Sequence, residues 1–315
     1  MALSLSDRWV WDFWLAEHDG SYHLFYLQAP RSIEDPDLRH WNVSIGHAVS
    51  KDLVDWTVRG DALAPSPGPA WDDFTTWTGS VIHHEGRWHL FYTGTSRAEQ
   101  GLVQRIGLAV SEDLDTWTRV PGPLIEYDER WYEGLGPDWH DQAWRDPWVF
   151  RGDDGAFHVL ITARSGTEDP FDRGCIAHAR SANLVDWEVL APITTPGGFG
   201  QLEVPQLHRI GDSWALIFCS DVETQSSARR EVGEGTGTYY MLSSSPLGPF
   251  DAAQARPLQV DPLGSAYAGR LVERDGTQLL SWRRTGVDGS FVGEIGDPVP
   301  VTGAAGALTV VDSGA

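Results

Sequence analysis

EHDGSYHLFYLQ at residues 17–28 returns in kind as HHEGRWHLFYTGTS (83–96), RGDDGAFHVLITARS (151–165), HRIGDSWALIFCSD (208–221) and ERDGTQLLSWRRTG (273–286). Each stretch is a strand, a turn built on a glycine (Gly20, Gly86, Gly155, Gly211, Gly276) and a second strand rich in aromatic and β-branched residues. Glycine beside an acidic residue between two such runs is hairpin chemistry, because glycine reaches positive φ at no steric cost. A second unit follows the first: IGHAVSKDLVDWTV from Ile45, IGLAVSEDLDTWTR from Ile106, IAHARSANLVDWEV from Ile176 and a weaker copy at residues 239–250, YYMLSSSPLGPF. Two hairpins per repeat make a four-stranded antiparallel blade, and five repeats predict an all-β, five-bladed β-propeller.

No clear fifth copy of the second unit follows Gly286. A propeller can close its last blade with a strand from the other terminus, which the spacing here does not show, and residues 303–315 read as an edge strand or tail. No linker of domain-separating length breaks the series, so residues 1–315 read as one catalytic propeller domain. Helical periodicity is nowhere sustained, which predicts few and short helices. Residues 126–143, between the second and third repeats, are long enough to wall one side of the rim.

Composition agrees. Sixteen Trp, 34 Gly and 19 Pro against two Met favour strands, turns and aromatic-lined clefts. A formal charge of -22 argues against nucleic acid and anionic membranes as partners, which require clustered Lys and Arg. No apolar run reaches the ~20 residues that span a bilayer, and the first seven residues lack the pattern of a secretory signal, so a cytoplasmic location is expected. Cys175 and Cys219 fit neither a metal site nor a disulfide framework and read as buried, reduced thiols. No cofactor or metal is called for.

The first strand of each blade lines the axis of a propeller. Counting back from the turn glycines, Asp12 stands eight residues before Gly20, Asp146 nine before Gly155 and Glu203 eight before Gly211, while Thr78 and Ala268 hold that place in blades 2 and 5. Three blades are therefore expected to deliver an acid to one level of the axis. Like charges in a sparsely solvated channel push at least one pKa upward, so that one group donates a proton while another stays ionised. Cleavage of a glycosidic bond needs that pairing.

These residues resemble motifs of the five-bladed furanosidases of glycoside hydrolase families 32 and 68, the latter containing levansucrases. Trp11-Asp12-Phe13-Trp14 looks like W-D-[ST]-W, whose Asp is the nucleophile, and Trp77-Thr78-Gly79-Ser80 looks like W-S-G-S of the sugar subsite. Arg145-Asp146-Pro147 is similar to the shared R-D-P motif, and Glu203-Val204-Pro205 resembles the surroundings of the acid/base. The resemblance implies a retaining hydrolase or transglycosylase for a β-furanoside, such as a fructofuranoside or D-arabinofuranoside. It implies Asp12 as nucleophile, Glu203 as acid/base and Asp146 as transition-state stabiliser. The sugar-binding set is then Trp11, Trp14, Trp77, Thr78, Arg145, Gln201 and Tyr267, with a small oligosaccharide or glycoside as partner. Val204 and Gln201 depart from the Arg and carboxylate usual in family 68, and the D-P-N-G motif of family 32 is missing. Two other readings stand: an inverting arabinofuranosidase or xylosidase of the family 43 type, and a non-catalytic sugar-binding propeller.

Overall fold

The computed structural model describes residues 2–304 and 307–311. Five antiparallel sheets form a ring, each with its first strand inside. Blade 1 runs outward through Arg8–His18, Ser21–Pro30, Ser44–Ser50 and Thr57–Val58. Blade 2 uses Thr75–His84, Arg87–Thr95, Arg105–Ser111 and Thr118–Arg119, and blade 3 uses Trp144–Arg151, Phe157–Arg164, Gly174–Ser181 and Trp187–Leu190. Blade 4 uses Glu203–Ile210, Ser213–Ser220, Thr236–Ser243 and Arg256–Asp261. The inner strands touch in succession around the ring, blade 5 meeting blade 1. Ser227–Val232 is the one α-helix among the described residues.

Blade 5 explains the missing repeat. Its inner pair is Ala266–Glu273 and Thr277–Thr285, but its third strand is broken into Phe291–Ile295 and Val299–Ala304, both paired to Thr277–Thr285. Ala307–Val310 forms the outer strand, so residues 303–310 are an edge hairpin where described. Leu3 bonds Ile295 in both directions (2.9 and 3.1 Å), so the amino-terminal segment ties onto this broken strand.

The S-x-D-L-x-x-W turns have one construction. Asp52 Oδ1 accepts from the backbone N–H of Val54 and Asp55 at 3.0 and 2.8 Å, and Asp113 and Asn183 do the same in blades 2 and 3. Such side-chain bonds hold the chain in a tight turn. The following leucines, Leu53, Leu114 and Leu184, sit at φ of 61°, 66° and 65° with their side chains wholly buried. Apolar burial of about 1.5–3 kcal/mol per side chain offsets the left-handed backbone. In blades 2 and 3 the Trp closes the turn, Trp117 Nε1 and Trp187 Nε1 donating to the carbonyls of Leu114 and Leu184. Both cysteines are buried and free.

Candidate active site

All five inner strands carry a β-bulge at the same level. Pairing slips between Trp11 and Phe13, Trp77 and Gly79, Arg145 and Trp148, Glu203 and Gln206, and Tyr267 and Arg270. The residues turned out of register are Asp12, Thr78, Asp146, Val204 and Ala268, the last three at φ of 58°, 55° and 49°. A bulge re-aims side chains and strands backbone groups, and such strain collects at functional sites. Neighbouring blades satisfy those groups. Asp146 N donates to Thr93 Oγ1 (3.0 Å), Val204 N to Asp146 Oδ2 (3.1 Å) and Gly269 N to Thr238 Oγ1 (3.2 Å).

This register corrects the alignment on glycines. Glu203 pairs with Cys219 as Trp11 pairs with Leu27 and Arg145 with Thr162. Glu203 therefore matches Trp11, Trp77, Arg145 and Tyr267, one residue before the level of Asp12 and Asp146, where blade 4 has Val204. The three acids nevertheless line one cavity of about 340 Å³ at the end of the axis.

Their settings differ. Asp12 faces the cavity and is otherwise enclosed by protein; Thr78 Oγ1 donates to its Oδ2 at 2.8 Å. Burial, then the charge of Asp146, push its pKa up to about 7, against the hydrogen bond from Thr78 and the charge of Arg270. Asp146 is 4% exposed and is also raised by burial; Thr162 Oγ1 (2.9 Å) and Val204 N both donate to its Oδ2. Glu203 keeps 22% of its side chain exposed, with Arg145 Nη2 donating to Oε1 at 2.7 Å and Tyr267 Oη to Oε2 at 2.5 Å.

Trp11, Trp77, Thr78, Arg145, Gln201 and Tyr267 line the same cavity. Trp14 does not. The bulge puts Trp14 on the same face as Trp11 but a layer deeper, where it is fully buried and stacks on Phe25 at 6.2 Å. It is a core residue, which removes it from the sugar-binding set.

The repeats missed the loop contributions. Arg39, His40 and Trp41 enter from the turn Pro36–Trp41, and Trp282 and Arg284 from the second strand of blade 5. Asp141 and His140 come from residues 126–143, whose length was the one available signal. Burial, followed by the nearby arginines, lowers the pKa of His40 to about 3, so its imidazole is neutral. Trp11 Nε1, Arg39 Nε, Trp282 Nε1, Gln201 Nε2 and Asp141 Oδ1, all on residues of this wall, are buried without a protein partner. Buried polar groups are ordinarily bonded, so four donors and an acceptor left without partners set this wall apart from an ordinary protein interior.

Comparison with known proteins bears on this geometry. The profile for "Glycosyl hydrolases family 32 N-terminal domain" matches residues 14–283, beginning two residues after Asp12. Sucrose-6-phosphate hydrolase of Pediococcus pentosaceus is 28% identical over 213 residues, covering 66% of this chain and 38% of that protein. The chain thus spans about two fifths of the length of that relative. Among solved structures, a family 32 β-fructofuranosidase of Bombyx mori superposes with a TM-score of 0.75 at 20% identity, covering 98% of this chain and 64% of that one. An inulosucrase from Halalkalicoccus jeotgali, bound to kestose, gives 0.78 at 21% identity, covering 97% and 87%. At such identities the structural likeness speaks for the fold alone. No helix among the described residues is long and apolar enough to cross a membrane.

Proposed function

Because the chain belongs to the glycosyl hydrolase family 32 N-terminal domain family, we propose that this propeller is a catalytic domain that hydrolyses a β-fructofuranoside with retention of configuration. The observation that carries the reading is that Asp12 and Glu203, from different blades, line one cavity with different hydrogen-bond partners. The hydrogen bond from Thr78 occupies Asp12 Oδ2, leaving Oδ1 to attack the anomeric carbon. As that bond forms, the bond to the leaving oxygen breaks and Glu203 supplies its proton.

Glu203 stands nearer the mouth, where the leaving group departs. Its bond with Tyr267 can reverse direction, the carboxyl donating to the phenol oxygen once it carries a proton. Water then attacks the fructosyl ester at the same carbon, returning the Asp12 carboxylate while Glu203 takes the proton of the water. Asp146 receives both its hydrogen bonds on Oδ2, so Oδ1 meets the ring hydroxyls as positive charge builds on the sugar. Trp11, Trp282 and Gln201 line the cavity around the sugar.

The wall favours a neutral glycoside over a phosphorylated one. It carries Asp12, Asp141, Asp146, Asp221 and Glu203 against Arg39, Arg145 and Arg284. Arg145 is held by Glu203 and Asp141, Arg284 by Asp221 at 2.6 Å, and Arg39 packs over the rings of Trp11, Trp282 and Phe291. Only Arg39, with no carboxylate nearer than 3.9 Å and its Nε unpartnered, is left for a phosphate, which would face five acids on the same wall. The test is turnover of sucrose, short fructans, sucrose 6-phosphate and nitrophenyl furanosides, with the first-formed anomer recorded by NMR. Release of β-fructose from a neutral fructoside is expected. A first product of inverted configuration would assign the inverting family 43 type of chemistry instead, and binding without turnover of any glycoside would make the protein a lectin-like propeller.

A further inference from the structure

Arg270 lies beneath the cavity, on the inner strand of blade 5, and is 2% exposed. It makes no ion pair among the described residues. Its Nε donates to the carbonyl of Phe13 at 3.1 Å, and its Nη1 to the carbonyls of Val204 (3.1 Å) and Pro205 (2.7 Å). Phe13 follows Asp12 in the chain, and Val204 and Pro205 follow Glu203. One planar guanidinium thus bonds the backbone just beyond each of the two acids, from a third blade, while it packs over the ring of Trp148 at 5.4 Å.

Burying a cation against neutral carbonyls alone is costly, and apolar side chains of similar volume would seal the ring more cheaply. The countercharge is above it, where its field reaches Asp12 and Asp146. Arg270 retains its proton at neutral pH, its pKa being lowered by burial only to about 10. Of the other ionisable groups facing Asp12, Asp146 and Glu203 are like charges, Arg39 is a cation across the cavity, and the Cys219 thiol is pushed up to about 12 and neutral. Glu17 and Tyr22 line the small cavity on the far side of Arg270.

We propose that Arg270 is a positioning residue: its guanidinium sets the separation of the strands that carry Asp12 and Glu203 and places a fixed positive charge beneath them. This rests on the functional reading above. Lysine keeps the charge but cannot fork to two strands; glutamine keeps polarity and loses the charge.

The experiment is kcat, KM and the pH profile of kcat for wild type, Arg270→Lys and Arg270→Gln on the preferred fructoside, with melting temperature as a check on folding. Both variants are expected to lose about 10- to 100-fold in kcat with KM within about threefold, as a misplaced pair of reacting groups would. The acid limb should move upward in Arg270→Gln and stay near its wild-type place in Arg270→Lys. A folded Arg270→Lys with wild-type kcat overturns the clamp, as does an acid limb that is the same in all three proteins. Should Arg270→Gln fail to fold, the kcat of Arg270→Lys decides alone. A wild type that turns over no fructofuranoside overturns the functional reading first, and the role of Arg270 with it.

Discussion

Asp12 and Glu203 occupy equivalent inner strands of blades 1 and 4, one residue apart across the same bulge, and that single step gives them opposite surroundings. Asp12 is the displaced residue, deep in the ring, with one hydroxyl partner and two like charges acting on it. Glu203 precedes the displaced residue, sits higher, and has a donor on each oxygen. A nucleophile must meet the ring carbon from below, and an acid must meet an oxygen leaving through the mouth. Two carboxylates at one depth would serve neither step well; the register offset supplies the difference in depth.

The sharpest way to break this contrast is to remove each acid in turn and vary the leaving group. Asp12→Asn should cost roughly a thousandfold or more in kcat on every fructoside, since no covalent intermediate can form. Glu203→Gln should cost about 10²- to 10⁴-fold on sucrose-like substrates but much less in the first step with a nitrophenyl leaving group, which departs without a proton. Pre-steady-state release of nitrophenol reads the difference, and equal losses for both variants on both substrates would mean that the two carboxyls do not differ in role.

A smaller effect sharpens the Asp12 side. Its carboxyl must be ionised to attack, and its pKa is raised to about 7 in the free site. The acid limb of kcat/KM is therefore expected near pH 7, as a property of the three coupled carboxyls. Thr78→Val removes the hydrogen bond that favours the ionised form, so the limb should move further up, with activity above pH 8 largely kept. A limb moving down would mean that Thr78 supports the protonated form.

The smallest effect is on stability. Asp12 is raised in the folded state above its unfolded value of 3.8. Between about pH 4 and 7 the unfolded chain loses this proton while the folded one holds it, so folding stability falls over that window and then levels. Asp12→Asn should accordingly melt a few degrees higher than wild type at pH 8 and at nearly the same temperature at pH 4. Thermal melts at the two pH values read it; an equal shift at both would point to packing rather than charge.

The five hairpins, the blade count and the convergence of Asp12, Asp146 and Glu203 on one cavity were legible in the amino-acid sequence, because hairpin turns and strand composition are local. The register of Glu203 was not. In blade 1 the turn is Asp19-Gly20 with both residues at positive φ, 49° and 68°, and blade 2 repeats this with Glu85-Gly86. In blade 4 the turn is Gly211-Asp212, with positive φ at the first place only. These are the two mirror-image hairpin turns that put glycine at different positions, so counting from glycine slips by one. Trp14 went astray for a related reason. Motif proximity set it beside Trp11, yet depth along the strand decides whether a ring meets ligand or core. Arg39, His40, Asp141 and Trp282 reach the cavity from loops and second strands, whose placement depends on contacts distant in the chain. The third strand of blade 5 left no readable repeat because it is broken between Ile295 and Val299.

The fivefold recurrence of the bulge has a consequence for what such a ring can become. Turns and apolar faces build the scaffold, while one irregular place per blade acts as a socket opening toward the axis. Three sockets or their immediate neighbours hold carboxylates here; Thr78 holds a hydroxyl, and Ala268, fully buried at φ 49°, holds almost nothing. Exchanging the occupants re-equips the cavity without redrawing the fold, which gives a physical account of how one architecture accommodates unlike reactions.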